Sequence, residues 1–211
     1  MITLCIPTLS RFDTLEKCIQ SALDGTVKPH FIHVMDNSAG ACPVFTSTDC
    51  PILVERADFN LGCAASWNIF MKKHDFAIIC NDDITFHKTG IEEIVNAIED
   101  GHEFVAAGGA NAFSCFYLSK RLYHEVGEFD EAFYPAYFED NDYAYRMKMR
   151  GHSLYFLPTT VYDHVGSATL KNYGPLELDQ HHRRFRKNQD YYKTKWGGLP
   201  HEETYVSAFN I

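Results

Sequence analysis

The sequence predicts an α/β fold with a mostly parallel central sheet flanked by helices. Two observations support this prediction: short apolar runs typical of strands alternate with segments of helical periodicity, and acidic or amide residues follow several of those runs. Alternation in this rhythm forms βαβ units, in which each helix crosses back over the sheet and the next strand lies parallel to the last. The alternation becomes less regular after residue 100, so we expect a mixed second half.

The first half of the chain contains the regular alternation, and we expect it to be Rossmann-like. Its predicted strands are Ile2–Ile6, Phe31–Met35, Ile52–Glu55 and Phe76–Cys80. Its predicted helices are Thr14–Leu23 and Ala64–Lys73. Continuous apolar runs bounded by polar residues are typical of parallel strands that are buried on both faces.

The second half has fewer clear periods. We predict a helix at Ile91–Glu99 and strands at Phe104–Ala107 and Phe113–Leu118. A helix at Glu139–Arg150 ends before Gly151, because glycine is the usual residue just past a helix end. The remaining predicted elements are a strand at Ser153–Leu157, stopped by Pro158, and a polar, basic segment of helical composition at Leu176–Lys195.

Composition excludes several classes of protein. The 211 residues suffice for one domain with its own core, and no repeat or linker divides them, so we expect a single domain over 1–211. The formal charge of −9 argues against a nucleic-acid-binding protein, because contacts to phosphate depend on Lys and Arg. No apolar stretch reaches the roughly 20 residues of a transmembrane helix.

The cysteines and the first residues bear on location. The seven cysteines include no CxxC pair, which disfavours a structural zinc site, and several lie in apolar strand or helix patterns. Cysteine used as a small apolar residue is typical of a reducing compartment. The chain enters its first predicted strand directly after Met1, without the basic and apolar regions of a secretory signal. We therefore expect a cytoplasmic protein.

Two acids follow the predicted strand at Phe76–Cys80, in the order Asn81, Asp82, Asp83. The carboxyl end of a parallel strand opens into the crevice where ligands of α/β sheets bind. Carboxylate oxygens there can hold a divalent cation, magnesium or manganese, with coordination positions left for a diphosphate. The alternative is a solvated acidic turn, since Asn and Asp are common turn residues.

Three other motifs occupy comparable positions. The segment Ile6–Arg11 leaves the first strand through a turn before a helix, where backbone amides favour an anionic ligand. Asp36 ends the second strand, where an acid could accept hydrogen bonds from a base or a ribose. The segment Asn60–Asn68 is a glycine turn into a helix with small residues, which lets a ligand approach the backbone. Turn formation and helix capping explain these motifs about as well.

Acidic residues recur later in the chain. They lie in Gly127–Glu131 and in Glu139–Asp142, at the start of a predicted helix. Acids are favoured at that end of a helix by its dipole, so capping alone accounts for them unless another observation points to chemistry. His164 follows as a candidate metal ligand.

Taken in order, these motifs resemble those of the family-2 glycosyltransferases, which have the GT-A fold. The resemblance runs from Ile6-Pro7-Thr8 through Asn81-Asp82-Asp83 and Glu139-Asp140 to His164 and Lys195-Trp196-Gly197. The size and the ending are similar to those of small bacterial and large-DNA-virus sugar transferases, among them rhamnosyltransferase-like members. The resemblance implies that residues 1–100 form a nucleotide-binding half and residues 101–211 an acceptor-binding and catalytic half.

The resemblance also implies a donor-nucleotide site formed by Thr8, Arg11, Asp36, Asn60, Gly62, Asn68 and Asp82. Asp83 and His164 match the metal-binding acid and the late histidine of the family, which implies a divalent metal cofactor, manganese or magnesium. Asn81 stands where the family often has an aspartate, so Asp82 is a substitute contact to ribose or metal. Asp140 matches the catalytic base, with its neighbours Glu139 and Asp142 as alternatives.

The implied activity is a metal-dependent, inverting transfer of a hexosyl or deoxyhexosyl group. The donor would be a UDP-sugar or a dTDP-sugar, and the acceptor a hydroxyl of a glycan or glycoconjugate. Two alternatives stay open: a noncatalytic nucleotide- or sugar-binding module, and a sugar nucleotidyltransferase. The nucleotidyltransferase would show a glycine-rich signature after the first strand, where this chain has Pro7–Arg11 instead.

The segment His181–Lys187 is strongly basic within an acidic chain. It could close over the diphosphate, attract an anionic acceptor or provide peripheral contact with a membrane, because a local positive field attracts negative ligands. A solvated helix face is the alternative.

Overall fold

The computed structural model describes residues 1–108, 111–164 and 174–211, and it confirms the α/β fold with a mostly parallel central sheet. The first half contains strands β1 (Thr3–Thr8), β2 (Phe31–Asp36), β3 (Ile52–Arg56), β4 (Ala77–Cys80) and β5 (Ile84–Phe86). Its helices are α1 (Phe12–Leu23), α2 (Gly62–Lys73) and α3 (Gly90–Glu99).

The second half contains strands β6 (Phe104–Ala106), β7 (Cys115–Leu118), β8 (Tyr155–Phe156) and β9 (Tyr162–His164). Its helices are α4 (Lys120–Val126), α5 (Glu139–Met149) and α6 (Pro175–Trp196), followed by a short 3-10 helix at Ala208–Asn210. No helix in the described ranges is both long enough and apolar enough to cross a bilayer.

Seven strands form the central sheet, in the order β3-β2-β1-β4-β7-β6-β8. Strands β3, β2, β1 and β4 are parallel, whereas β7 runs antiparallel to both of its neighbours, β4 and β6. The register places Thr8 opposite Asp36, so the carboxyl ends of β1 and β2 lie side by side. The prediction of a mixed second half is confirmed by β7, which reverses the strand direction at the middle of the sheet.

Helices cover both faces of the sheet because each carries one apolar face. In α1 the buried residues Leu15, Cys18, Ile19 and Ala22 recur at the spacing of a single helical face. They pack with α3 against one side of the sheet, while α2, α4 and α5 cover the other side. A third apolar cluster, which includes Phe138 and Trp196, joins α6 to the rest of the molecule.

Several elements differ from the prediction. The strand predicted at Phe113–Leu118 begins at Cys115, because residues 111–114 form a turn closed by the hydrogen bond from Ser114 N to Asn111 O. The strand predicted at Ser153–Leu157 is reduced to two residues, Tyr155 and Phe156. Helix α4 and the short strands β5 and β9 were not predicted, since three to seven residues carry too little periodicity to be recognised.

Candidate functional site

A cavity of about 400 Å³ opens at the carboxyl ends of β1 and β4. Parallel strands end there at a common edge, where ligands of open α/β sheets bind. The polar residues that line the cavity are Thr8, Asn37, Asn60, Asn81, Asp82, Asp83, Asn111, Glu139, Asp140, His164 and His181. The structure therefore brings together seven of the ten predicted site residues: Thr8, Asn60, Gly62, Asp82, Asp83, Asp140 and His164.

Thr8 and Asp82 connect the ends of two neighbouring strands. The hydroxyl of Thr8 donates a hydrogen bond of 2.6 Å to Oδ2 of Asp82. Burial raises the pKa of Asp82 to about 6, and the adjacent Asp83 carboxylate adds to this rise, while the hydrogen bond from Thr8 opposes it. The hydrogen bond holds the Asp82 carboxyl in one orientation at the floor of the cavity.

Asp83 and His164 meet across the two-stranded sheet formed by β5 and β9. Antiparallel pairing of these strands places Ile84 opposite His164, and Asp83 directly precedes Ile84. The Nε2 atom of His164 consequently lies 2.8 Å from Oδ1 of Asp83. The hydrogen bond to Asp83 raises the pKa of His164, and burial of the imidazole opposes that rise.

The Asp83 and His164 side chains fit one side of an open site for a divalent cation. Neighbouring ligands at about 2.1 Å from an octahedral ion are roughly 3 Å apart, close to the 2.8 Å between these two atoms. Oxygen and imidazole ligands together suit manganese or magnesium. No group of three or more acids, histidines or cysteines that could hold a metal is found within the described ranges, so further ligands would come from substrate phosphate and water.

Glu139 and Asp140 also line the cavity, and they lie at the start of α5. The two residues before them, Tyr137 and Phe138, have φ angles of 81° and 73°, a left-handed conformation that is unfavourable for residues with a side chain. Strained backbone of this kind persists only where the surrounding structure fixes it, and it is common at functional sites. Here it turns the chain so that both carboxyl groups face the cavity.

Burial dominates the electrostatics of these two acids. It raises the pKa of Asp140, although the Asn141 N–H donates a 2.8 Å hydrogen bond to Oδ1 and opposes the rise. Burial also raises the pKa of Glu139 well above its usual range, with the negative charge of Asp140 as the next cause. Burial and the charge of Asp140 thus both favour the neutral form of Glu139.

Asp142 faces away from the cavity. Its side chain is fully buried, and its carboxylate accepts hydrogen bonds from Arg146 Nε and Trp196 Nε1, both at 2.8 Å. Lys195 Nζ lies 2.6 Å from the same carboxylate. Asp142 therefore holds α6 against α5. The acids of α5 that line the cavity are Glu139 and Asp140.

Gly62 allows the start of α2 to approach the segment 134–136 closely. Its φ is 83°, and a Cβ atom at this position would lie 2.7 Å from the carbonyl oxygen of Pro135. The N–H of Cys63 donates to that same oxygen at 2.8 Å, and Oδ1 of Asn60 accepts from the Gly62 N–H at 2.9 Å. The small residue predicted to admit a ligand therefore also admits protein backbone.

Three predicted donor-site residues do not line the cavity. Asp36 is fully buried, and its carboxylate accepts hydrogen bonds from Ser38 and Cys42 in the loop after β2. Asn68 is also buried, and it is bonded to the backbone of Phe129 in both directions. The guanidinium of Arg11 forms an ion pair with Asp13, although it lies close enough to Asp82 and Asp83 to be influenced by their charge.

Several lining residues were not among the predicted site residues. Asn37 directly follows Asp36, and its side chain is fixed by hydrogen bonds with Ser66 and the N–H of Leu61. Tyr137 and His181 lie at the outer rim. The sequence indicated a polar motif at the end of β2 but not which of its residues, Asp36 or Asn37, lines the cavity. Side chains alternate between the two faces only within a strand, so this rule does not apply after the strand has ended.

A smaller cavity of about 180 Å³ adjoins the first one. The two cavities share Pro135, Tyr137 and His181, and the smaller one is completed by Glu177, Gln180 and Arg184 of α6. The basic segment His181–Lys187 thus lies on α6 with two of its members, His181 and Arg184, at this smaller cavity.

Comparison with known proteins gives matches in sequence and in structure. Residues 3–166 match the sequence model of glycosyl transferase family 2. A segment of 79 residues, 37% of this chain, is 34% identical to a galactofuranosyl glycosyltransferase of Leishmania donovani, and it spans 18% of that protein.

Two solved structures have a similar fold at low sequence identity. The mannosyltransferase PcManGT of Pyrobaculum calidifontis, in complex with GDP-Man and Mn²⁺, is 12% identical with a TM-score of 0.64, over 94% of this chain and 76% of that one. S. aureus TarS 1-349 is 12% identical with a TM-score of 0.61, over 92% of this chain and 73% of that one.

Proposed function

The chain belongs to glycosyl transferase family 2 and has the GT-A fold, as its motifs predicted, and from this premise we propose that it is a metal-dependent, inverting glycosyltransferase. The transferred group would be a hexosyl or deoxyhexosyl unit from a UDP- or dTDP-sugar, and the acceptor a hydroxyl of a glycan or glycoconjugate. One observation carries the proposal: the Asp83–His164 pair and Asp140 line the same cavity.

The donor would bind with its diphosphate at the carboxyl ends of β1 and β4. Asp83 and His164 would hold a divalent cation there, and that cation would stabilise negative charge on the leaving nucleoside diphosphate. A related fold has been solved with Mn²⁺ and GDP-Man, and S. aureus TarS 1-349 with UDP-GlcNAc, which supports a nucleotide-sugar donor. Asp82, oriented by Thr8, lies beside this position and would contact the ribose or the cation.

We retain, as a proposal, the donor-site roles that the resemblance implies for Asp36, Arg11 and Asn68. Asp36 would contribute through the loop that it organises rather than through direct contact with the base, because its carboxylate is already hydrogen-bonded. Arg11 lies near the two acids and would move towards a bound phosphate by exchanging its Asp13 partner.

Asp140 would act as the catalytic base. In an inverting transfer the acceptor hydroxyl attacks the anomeric carbon from the face opposite the leaving diphosphate, and a carboxylate removes the hydroxyl proton as the new bond forms. The C–O bond to the diphosphate breaks in the same step, so no covalent enzyme intermediate is required. The raised pKa of Asp140 gives its carboxylate a greater affinity for the proton of the acceptor hydroxyl, which favours its action as a base.

The acceptor would approach through the smaller cavity beside α6. Tyr137 is about two-fifths exposed and lines both cavities, so a glycan lying along its ring would extend from one to the other. The basic segment of α6 would face the acceptor, and it is also where peripheral contact with a membrane would occur. All seven cysteines are free thiols, which supports the proposed cytoplasmic location.

Replacement of the base tests the proposed function. Asp140→Asn should keep metal-dependent binding of UDP or dTDP, measured by calorimetry with Mn²⁺ and then with chelator, and should lose turnover by about 10²-fold or more. Asp58→Asn, a surface change of the same type, serves as the control. Equal turnover in Asp140→Asn and wild type would rule out Asp140 as base, and absence of nucleotide binding by the wild type would rule out the transferase site.

A further inference from the structure

Two buried polar atoms, both of residues that line the larger cavity, have no hydrogen-bond partner among the described protein residues. They are Nε1 of Trp67 and Oε2 of Glu139. Both residues are more than nine-tenths buried, with exposures of 3% and 5%. The other buried side-chain atoms of this kind in the described ranges belong to Ser114, Tyr143 and Asn188, none of which lines this cavity.

Cys63 connects the two residues that carry these atoms. Cys63 and Trp67 are four residues apart on α2, so they lie on the same face of the helix, one turn from each other. The Cys63 thiol forms a hydrogen bond with the Glu139 carboxyl, and Cys63 also lines the cavity. The Glu139 carboxyl is therefore in contact with the face of α2 that carries Trp67.

Core packing explains the ring of Trp67 but does not explain its N–H group. The ring packs edge-on against Phe129 and Phe116, with centroids 5.0 Å and 5.3 Å away, and lies parallel to Phe113 at 6.0 Å. A phenylalanine would fill the same apolar surroundings without a donor. Burial of an unpaired donor destabilises a protein, so an indole in a residue that lines the cavity is favoured where a ligand completes the hydrogen bond.

The Glu139 carboxyl complements that donor. Burial and the neighbouring charge of Asp140 raise the pKa of this carboxyl, which favours its neutral form, and a neutral carboxyl can both donate and accept. A sugar hydroxyl needs both kinds of partner, because its oxygen accepts while its hydrogen is donated. An indole N–H and a carboxyl group of residues that line one cavity supply such a pair.

We propose that Trp67 and Glu139 bind one hydroxyl group of the transferred sugar. The hydroxyl oxygen accepts from Nε1 of Trp67, and the hydroxyl hydrogen is donated to Oε2 of Glu139. This inference rests on the proposed function, because the transferred sugar must lie between the diphosphate, near Asp83, and the base Asp140. The transferred sugar must then carry a hydroxyl group at the ring position that meets Trp67 and Glu139. Nucleotide sugars that are deoxygenated at that position should bind more weakly.

The test compares a nucleotide sugar with its nucleoside diphosphate. Binding of UDP and of the UDP-hexose that the wild type binds most tightly is measured by calorimetry with Mn²⁺ and without acceptor. Trp67→Phe should weaken binding of the UDP-hexose about fivefold to tenfold and change binding of UDP less than about twofold. Tyr143→Phe is the matched control, because the Tyr143 hydroxyl is also buried and unpartnered among the described residues but does not line the cavity.

Glu139→Met provides a second, independent variant. It removes both carboxyl oxygens at similar length and should give the same selective loss of UDP-hexose binding, so the inference can be tested even where Trp67→Phe fails to fold. Monodeoxy analogues of the UDP-hexose then locate the group. The analogue that lacks the bound hydroxyl should bind the wild type more weakly than the parent UDP-hexose does. For that analogue, Trp67→Phe should cause no further loss of affinity.

The outcomes separate this inference from the proposed function. Equal weakening of UDP and UDP-hexose in Trp67→Phe would place the indole at the nucleotide and overturn the inference. Unchanged UDP-hexose binding in both variants would also overturn it, while metal-dependent nucleotide binding and turnover in the wild type would leave the transferase intact. Absence of any nucleotide binding by the wild type would overturn both.

Discussion

Lys195 and Asp142 form a buried ion pair that joins α6 to α5, with 2.6 Å between Nζ and Oδ1. The same ammonium group lies 2.6 Å from Oδ2 of Asp130, and only 8% of the lysine side chain is exposed. Three elements therefore meet at one cation: the segment before α5, α5 itself and α6. Asp142 lies two residues after Asp140 on α5, so the ion pair fixes the helix that carries the proposed base.

Lys195→Met should destabilise the protein by about 3–5 kcal/mol, because the substitution removes the ammonium group that pairs with the buried Asp142 carboxylate and the partly buried Asp130 carboxylate. Urea unfolding measures the loss. Lys193→Met, an exposed position on the same helix, should change the stability by less than about 0.5 kcal/mol. Similar stability of the two variants would show that the Lys195 pair contributes little net free energy.

Asp83→Asn and His164→Ala should each weaken binding of Mn²⁺ in the presence of UDP by about tenfold or more, since each removes one of two converging ligands. Titration of Mn²⁺ followed by electron paramagnetic resonance gives the affinity directly. Asp163→Asn is the control, because Asp163 precedes His164 on β9 but its side chain is 85% exposed. Equal losses in all three variants would point to general charge rather than to a metal site.

Acidification should destabilise the fold through His33. Burial lowers the pKa of His33 from 6.5 to about 4, and the nearby His74 adds to this effect, while Glu55 opposes it. The unfolded chain therefore binds a proton as the pH falls below about 6.5, before the folded protein does, and stability is lost between pH 6.5 and 4.

The expected loss is about 2 kcal/mol between pH 7.5 and pH 5, from the linkage between proton binding and unfolding. Burial is the largest single influence on Glu55 and raises its pKa, but the hydrogen bonds and charges of Lys73 and His33 together lower that pKa below its usual value. Glu55 therefore adds a loss of the same sign at lower pH. His33→Gln should be less stable at pH 7.5 but should show a flatter dependence of unfolding free energy on pH. The same slope in His33→Gln as in wild type would assign the acid sensitivity to other groups.

Gly62→Ala should destabilise the protein by about 1–3 kcal/mol and weaken UDP binding. The added methyl group would meet the Pro135 carbonyl oxygen at 2.7 Å and push apart two walls of the cavity. Gly101→Ala isolates the backbone contribution, because Gly101 has a φ of 95° and no atom of the described residues lies within 4 Å of the place that its Cβ would occupy. If the two substitutions lower the free energy of unfolding equally, the contact with Pro135 contributes nothing to the loss of stability.

The sequence predicted the part of the site that follows from local pattern. Asp82 and Asp83 end a continuous apolar run, and strand order alone places such residues at the ligand edge of a parallel sheet. Glu139 and Asp140 begin a helix whose end is marked by Gly151. These positions needed no knowledge of distant contacts.

The rest of the site depends on contacts between residues far apart in the chain. Asn68 was predicted to contact the donor, but its side chain bonds to Phe129, 61 residues away. No local pattern distinguishes an amide that faces a ligand from one that satisfies buried backbone. Trp67 presents the same difficulty, because an aromatic residue on a helix is typical of a core. Only the structure shows that its buried N–H group has no partner among the described residues and that the residue lines the cavity.

The pairing of β5 with β9 sets an order of events during synthesis. Asp83 and His164 are 81 residues apart, and their side chains meet only once β9 has paired with β5. A ribosome adding about 5–20 residues per second needs several seconds to lengthen the chain from one residue to the other. The nascent first half can therefore fold its parallel strands before His164, which we propose as a metal ligand, has been synthesised. On that proposal, a growing chain would acquire its full affinity for the cation only after most of the domain has left the exit tunnel.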